Sequence, residues 1–245
     1  MKQQIFTIIE NKPLTESVYR LRLGGNTSAI TAPGQFVNIK LEGKYLRRPI
    51  SVCDRSGSML TLIYKNVGKG TEQLSTLQKG QQLDLLIGLG NGYDLAPSGE
   101  RPLLIGGGVG VPPLYELARQ LTARGLKVQV ILGFNSSCDV FYEQQFHDLG
   151  CDVTVTTVDG SYGMKGFVTD ALEGRVFTYY YTCGPMPMLK AVRQKCRGDG
   201  EFSLEERMGR GFGACMGCSC KTTGGYKRVC REGPVFRKEE ILWEN

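Results

Sequence analysis

Histidine and tryptophan are almost missing from this chain, with one of each in 245 residues. His147 has no partner motif nearby, so neither a histidine-ligated zinc site nor a Ser-His-Asp triad has the residues it needs. Long apolar runs are missing too. No stretch reaches the roughly 18 consecutive apolar residues that span a bilayer, and the start, Met1-Lys2-Gln3-Gln4-Ile5, carries no apolar signal core. Membrane insertion is not expected, and a cytoplasmic location is. No run of five or more Lys or Arg occurs although the net charge is +6. That charge reads as a solvated surface with local basic sites, not as a footprint for nucleic acid. With 41% apolar and 22% charged residues, the composition also leaves no room for a disordered, collagen-like or coiled-coil chain.

Two residue types are in excess. The 33 glycines amount to nearly twice the usual share of about 7%, and glycine in excess marks sharp turns or close backbone approach to a ligand. Nine cysteines stand in a chain with no export signal, where thiols more often bind metal or do redox chemistry than form disulfides.

Up to about residue 90 the chain reads as short alternating strands separated by Gly, Pro and Asn. Tyr19, Leu21 and Leu23 alternate with Arg20 and Arg22, and Val37, Ile39 and Leu41 with Asn38 and Lys40. Residues 60–64 and 83–87 are further strands, and a small antiparallel barrel is expected. Near residues 96–99 the pattern changes to strands alternating with helices, as in a mostly parallel sheet. Strands are expected at 103–105, 128–132, 153–158 and 178–182. Helices are expected at Leu114, Leu117, Ala118 and Leu121, near 141–149, at 167–172 and at 188–196. After Gly200 the periodicity ends, and the glycine- and cysteine-rich remainder needs a metal centre or docking to hold it. The expected fold is thus α+β and multidomain: a barrel over residues 1–97, an α/β domain over 98–200 and a small segment over 201–245.

Three residue sets carry chemistry. Arg48-Pro49-Ile50-Ser51 ends a barrel strand, with Ile63-Tyr64-Lys65 and Gly68, Gly70 and Thr71 downstream. Arg48 offers a fork to phosphate, and the glycines before Thr71 can turn backbone N–H groups toward a diphosphate. A strand turn followed by a helix cap accounts for the same residues. Gly106-Gly107-Gly108-Val109-Gly110-Val111-Pro112-Pro113 lies between a buried strand and an amphipathic helix. That is the setting of a nucleotide-phosphate loop, with proline at the helix start, although the spacing is neither GxGxxG nor a P-loop. Cys183-Gly184-Pro185-Met186 ends the fourth strand of this region and faces the same crevice. The third set is Cys215-x2-Cys218-x-Cys220 with Cys230 after nine more residues; four thiols among flexible glycines can converge on a metal or an iron–sulfur cluster. Cys53, Cys138, Cys151 and Cys196 are scattered and read as packing or surface residues.

In this order the motifs resemble the ferredoxin reductase superfamily. At the carboxyl end, residues 205–218 (EERMGRGFGACMGC) and 229–236 (VCREGPVF) resemble the family of dihydroorotate dehydrogenase B electron transfer subunits, as do 91–94, 110–117, 139–143 and 166–170. The resemblance implies FAD on Arg48, Pro49, Ile50, Ser51, Ile63, Tyr64, Lys65, Gly70 and Thr71. It implies NAD, the electron acceptor, on Gly107, Gly108, Gly110, Val111, Pro112, Cys183, Gly184, Pro185 and Met186, and a [2Fe–2S] cluster on Cys215, Cys218, Cys230 and Cys220. An FMN-containing catalytic subunit is implied as partner in a heterotetramer that oxidises dihydroorotate for pyrimidine synthesis, and no catalytic side chain is expected here. The family spacing Cys-x4-Cys-x2-Cys places its first cysteine at position 210, where this chain has Arg210. Cys220 in a rearranged loop, another ligand such as Arg210 itself, or an absent or labile cluster all remain open at this point. Related reductase subunits of a transhydrogenase, sulfide dehydrogenase or hydrogenase share most of these motifs, and a scaffold holding structural zinc would share the thiols.

Overall fold

The computed structural model describes residues 1–243; residues 244 and 245, the end of the expected third segment, lie outside the described residues. The barrel strands are β1 (Lys2–Pro13), β2 (Val18–Gly24), β3 (Phe36–Ile39), β4 (Arg48–Ser56) and β5 (Met59–Lys65), followed by helix α1 (Lys69–Ser75) and strand β6 (Gln82–Leu89). They close in the order β1-β2-β5-β4-β3-β6 with antiparallel neighbours. Period-two alternation explains the closure: Leu83, Leu85, Ile87 and Leu89 of β6 are all buried while their neighbours face outward. Bulges at Ile8/Glu10 and at Val52/Asp54 bend the strands as a small barrel requires.

The second half follows as β7 (Leu103–Gly107), α2 (Pro112–Ala123), β8 (Gln129–Phe134), α3 (Glu143–Asp148), β9 (Asp152–Thr157), β10 (Met164–Lys165), β11 (Tyr180–Cys183), α4 (Met186–Lys195) and β12 (Gly200–Ser203). Then come β13 (Ser219–Thr222), β14 (Gly225–Arg228) and β15 (Val235–Arg237). The large sheet has the order β10-β9-β8-β7-β11-β12-β15, and β13 and β14 form a separate hairpin. Neighbours in the sheet are parallel except β12 and β15. Two strands from beyond residue 199 therefore extend the sheet, and Phe202 and Phe236 are buried with the barrel residues Phe36 and Leu89 in one apolar cluster. The helix expected at 167–172 is only a three-residue turn, Asp170–Leu172. The Asp170 carboxylate accepts the Phe167 N–H at 2.8 Å, a local bond that competes with helix.

The barrel and the sheet share a core. Val18, Cys53 and Ile63 of the barrel pack with Leu114, Leu117, Ala118 and Leu121 of α2. Beside this apolar contact lies a polar clamp. Glu116, buried on α2, accepts the Arg55 N–H at 3.0 Å and is bonded by Arg119 and Gln120, each at 2.8 Å. Arg119 reaches on to Asp54 at 3.1 Å. Burial, then the hydrogen bond and charge of Glu116, push the Asp54 carboxyl up to about 6, while its partners hold Glu116 below the usual range.

Asp54 keeps its proton to about pH 6 in the folded chain and to about pH 4 when unfolded. The folded state thus binds more protons between these values, and the Asp54 contribution to stability falls as pH rises. Asp54→Asn removes that loss. Thermal unfolding of the variant and parent from pH 4 to 7 is expected to show a melting-temperature difference growing in favour of the variant. A constant or shrinking difference contradicts a raised Asp54 carboxyl in the clamp.

Candidate functional site

In an open sheet, ligands bind beyond the carboxyl ends of the strands where the strand order reverses. Here β7 is flanked by β8 and β11, so the reversal falls between β7 and β11, and both glycine motifs meet there. A cavity of about 590 Å³ opens above it, lined by Gly107, Gly108, Gly110, Gly184 and Pro185, by Asn135, Asp139, Thr156 and Phe167 farther along, and by Lys65 from the barrel. The loops touch closely: a methyl group on Gly110 would sit 2.3 Å from the Cys183 carbonyl oxygen and 2.6 Å from the Gly184 Cα. Glycine is required at 110 for that contact whatever ligand binds. Val111 and Pro112 are buried at the start of α2 and support the loop from behind. Burial pushes the Cys183 thiol up to about 12, so it is neither a thiolate nor a ready proton donor near neutral pH.

A second cavity, of about 490 Å³, adjoins the first. Leu46, Arg47, Arg48 and Pro49 line its barrel side, Gly184 and Met186 the side of the sheet, and Glu205, Glu206, Arg207 and Met208 the approach to the cysteines. Gly184 and Glu205 line both cavities. Arg48, Pro49, Ile50 and Ser51 are the part-exposed start of β4, whose next residues, Val52 and Cys53, are buried. The Arg48 guanidinium lies over Gly70, so close that a Cβ there would fall 2.1 Å from its Nε. This pairing of a cation with bare backbone fits a phosphate-bearing cofactor. Other members of the first residue set do not face the cavity. Tyr64 points into the barrel and donates to Asn11 Oδ1 at 3.1 Å, Ile63 packs toward α2, and the Thr71 hydroxyl accepts the Val67 N–H at 2.9 Å within its own loop.

Beyond Met208 the chain folds over the barrel edge. Asn38 of β3 donates to the Arg210 carbonyl at 3.0 Å, and Asn91 both donates to and accepts from the Val235 backbone, at 2.7 and 3.1 Å. Inside this frame Cys218 and Cys230 are buried, and the Val229 N–H beside Cys230 donates to the Cys218 carbonyl at 2.9 Å. Cys230 accepts the Gly213 N–H at 3.2 Å. Burial, then the neighbouring Cys218 thiol, push Cys230 up to about 11, whereas the Gly217 and Arg210 N–H groups hold Cys215 below the usual thiol range. Cys220 stands in β13 opposite Lys227. Among the described residues no three acidic, cysteine or histidine side chains converge on one metal ion. A two-iron cluster does not require that, because its thiolates divide between the irons. Backbone N–H groups aimed at thiols suit such a cluster, which stabilises sulfur as thiolate.

The residues that sequence reasoning passed over are those that join the sites. Glu205, Arg207, Met208, Asp139 and Phe167 fall only within stretches of the resemblance, and Asn135, Asp139, Thr156 and Phe167 line the nucleotide crevice at and beyond the ends of β8, β9 and β10. The rule that ligands sit at strand carboxyl ends was the available signal for the latter group. Among the described residues no helix is long and apolar enough to cross a membrane.

Comparison with known proteins agrees with this geometry. Residues 205–242 match the iron–sulfur cluster binding domain of dihydroorotate dehydrogenase B, and residues 104–194 match the oxidoreductase NAD-binding domain. The chain is 45% identical to a protein of a Geobacillus species and 44% identical to one of Fusobacterium nucleatum. Both are named dihydroorotate dehydrogenase B (NAD(+)), electron transfer subunit, and the alignments cover 98% or more of this chain and 99% of each relative. A solved structure of an NADH-dependent reduced ferredoxin-NADP oxidoreductase is 33% identical, with TM-score 0.88, over 97% of this chain and 90% of that one. A ferredoxin NADP+ reductase from Neisseria gonorrhoeae, 19% identical with TM-score 0.68 over 80% of this chain and 90% of that one, shares the fold. The chain belongs to the family of dihydroorotate dehydrogenase B electron transfer subunits.

Proposed function

We propose that this chain carries electrons from a dihydroorotate-oxidising, FMN-containing partner to NAD, through a [2Fe–2S] cluster on residues 201–245 and FAD on residues 1–97, with NAD on residues 98–200. The observation that carries the reading is contiguity. The Arg48 cavity shares Gly184 and Glu205 with the nucleotide crevice and is walled by Arg207 and Met208, at the start of the segment that carries the cysteines. A flavin supplies the exchange between hydride and single-electron chemistry, so the protein's task is binding and orientation, with no catalytic side chain. Arg48 holds a phosphate charge over Gly70. Pro49 and Met186 wall the flavin cavity, and Ile50 and Ser51 continue the strand that carries Pro49. Ile63, Tyr64 and Thr71 support it through strand and loop backbone. Gly107, Gly108, Gly110, Gly184 and Pro185 admit the nicotinamide nucleotide, backed by Val111, Pro112 and Cys183. Cys215, Cys218 and Cys230 face the cluster.

A heterotetramer with the catalytic subunit and a cytoplasmic location belong to this reading. Nine free cysteines support a reducing compartment. The same geometry would serve another NADH-dependent reductase complex, a second reading favoured by the 33% identical structure.

Mixing the purified chain with an FMN-type dihydroorotate dehydrogenase tests the assignment. Dihydroorotate-dependent NAD reduction is expected only when both chains are present. Turnover by this chain alone, or none with the partner, overturns it.

Asp139 at the far end of the crevice places a negative charge where a second nucleotide phosphate would be repelled, and among the lining residues Lys65 is the one cation. Asp139→Asn is expected to raise the NADP-to-NAD ratio of kcat/KM by about tenfold, or about 1.4 kcal/mol. An unchanged ratio removes Asp139 from nucleotide choice.

A further inference from the structure

A [2Fe–2S] cluster takes four ligands, two on each iron. Cys215, Cys218 and Cys230 divide unevenly. Cys218 and Cys230 are buried in one apolar cluster, and the N–H of Val229, next to Cys230, donates to the Cys218 carbonyl at 2.9 Å, which sets the two side by side as two ligands to one iron would be. Cys215 is more open and lies outside that cluster; its Sγ stands 3.5 Å from where a Cβ on Gly209 would fall and 3.9 Å from one on Gly217. The backbone of residue 210 is held by Asn38 at 3.0 Å. The side chain that begins there is an exposed arginine, whose guanidinium offers donors and no acceptor to a metal.

Cys220 does not fill the gap. It packs against the apolar cluster that holds Cys218 and Cys230 and leaves out Cys215. Its strand is fixed along both edges, by the β13–β14 pairing on one side and on the other by the Leu242 N–H to the Lys221 carbonyl at 3.0 Å and the Thr222–Ile241 bridge. These bonds hold Cys220 in register and oppose a rearrangement of its strand.

We infer that this chain holds its cluster through three thiolates, Cys218 and Cys230 on one iron and Cys215 on the other, and that the fourth position, beside Arg210, is taken by a small ligand from solvent. The inference rests on the cluster assignment made above. It makes one iron exchangeable and places that iron at the open side of the loop. It also makes the site less negative than a four-thiolate cluster, which favours the reduced state.

The test uses the full chain with FAD bound, reconstituted anaerobically with iron and sulfide. Cys220→Ser is expected to keep iron and sulfide equal to the parent, whereas Cys218→Ser loses both. Arg210→Cys is expected to slow iron loss to a chelator by about tenfold or more, and to lower the cluster's reduction potential. Cyanide is expected to alter the electron paramagnetic resonance spectrum of the reduced parent cluster and to leave that of Arg210→Cys unchanged. Loss of the cluster in Cys220→Ser, or chelator and cyanide behaviour identical in parent and Arg210→Cys, overturns the three-thiolate assignment. Absence of iron and sulfide from the parent and Arg210→Cys alike, with FAD retained, overturns the cluster assignment itself.

Discussion

The structure depends on holding the barrel and the parallel sheet at one fixed orientation, and the contact that does so is α2 against β4. Hydride transfer requires reacting atoms within about 3–3.5 Å. No loop could keep that separation if the two halves rocked. Leu114, Leu117 and Leu121 form an apolar core continuous with barrel residues Val18, Cys53 and Ile63. Glu116 and Arg119 add direction to that contact, because a bidentate hydrogen-bond pattern fits only one register of helix on strand. The Asp54 bulge turns its carboxylate toward this clamp.

The same logic orders the three sites. Arg48 begins the strand whose far end carries Asp54, so the cofactor cavity and the clamp share one rigid element. The crevice loops emerge from β7 and β11, neighbours in the sheet core. The cysteine segment is bound to the linker through Asn91, to the barrel through Asn38, and to the sheet through β12 and β15. A segment unable to bury a core alone is thereby fixed by surfaces on both larger halves, and its aromatic anchors, Phe202 and Trp243, pack edge to face.

Much of this was legible from period alone. Alternation in residues 19–23 and 83–87 gave the barrel, and the 114–121 spacing gave α2, because both follow from which side chains must avoid water. The site was legible as motifs but not as geometry. A glycine run marks close approach without saying to what, and Gly110 proves to approach the Cys183 carbonyl. Tyr64 and Thr71 lie among the ligand-binding motifs yet spend their hydroxyls on Asn11 and on the local loop. Counting thiols could not show that Cys220 stands in a paired strand, opposite Lys227, while Cys215 lies in the loop before it. The Asp54–Glu116–Arg119 clamp leaves no local pattern, since its members lie far apart in sequence.

The central claim is that nucleotide, flavin and cluster sites in this one chain form a single conducting unit. It is tested most directly by adding NADH to the isolated, fully loaded chain without oxygen while recording flavin absorbance and the cluster's electron paramagnetic resonance on the same sample. Contiguous sites require that the flavin bleach and the reduced-cluster signal appear together, with no partner present. Bleaching of the flavin with the cluster left oxidised, at a potential where NADH can reduce it, would contradict the claim.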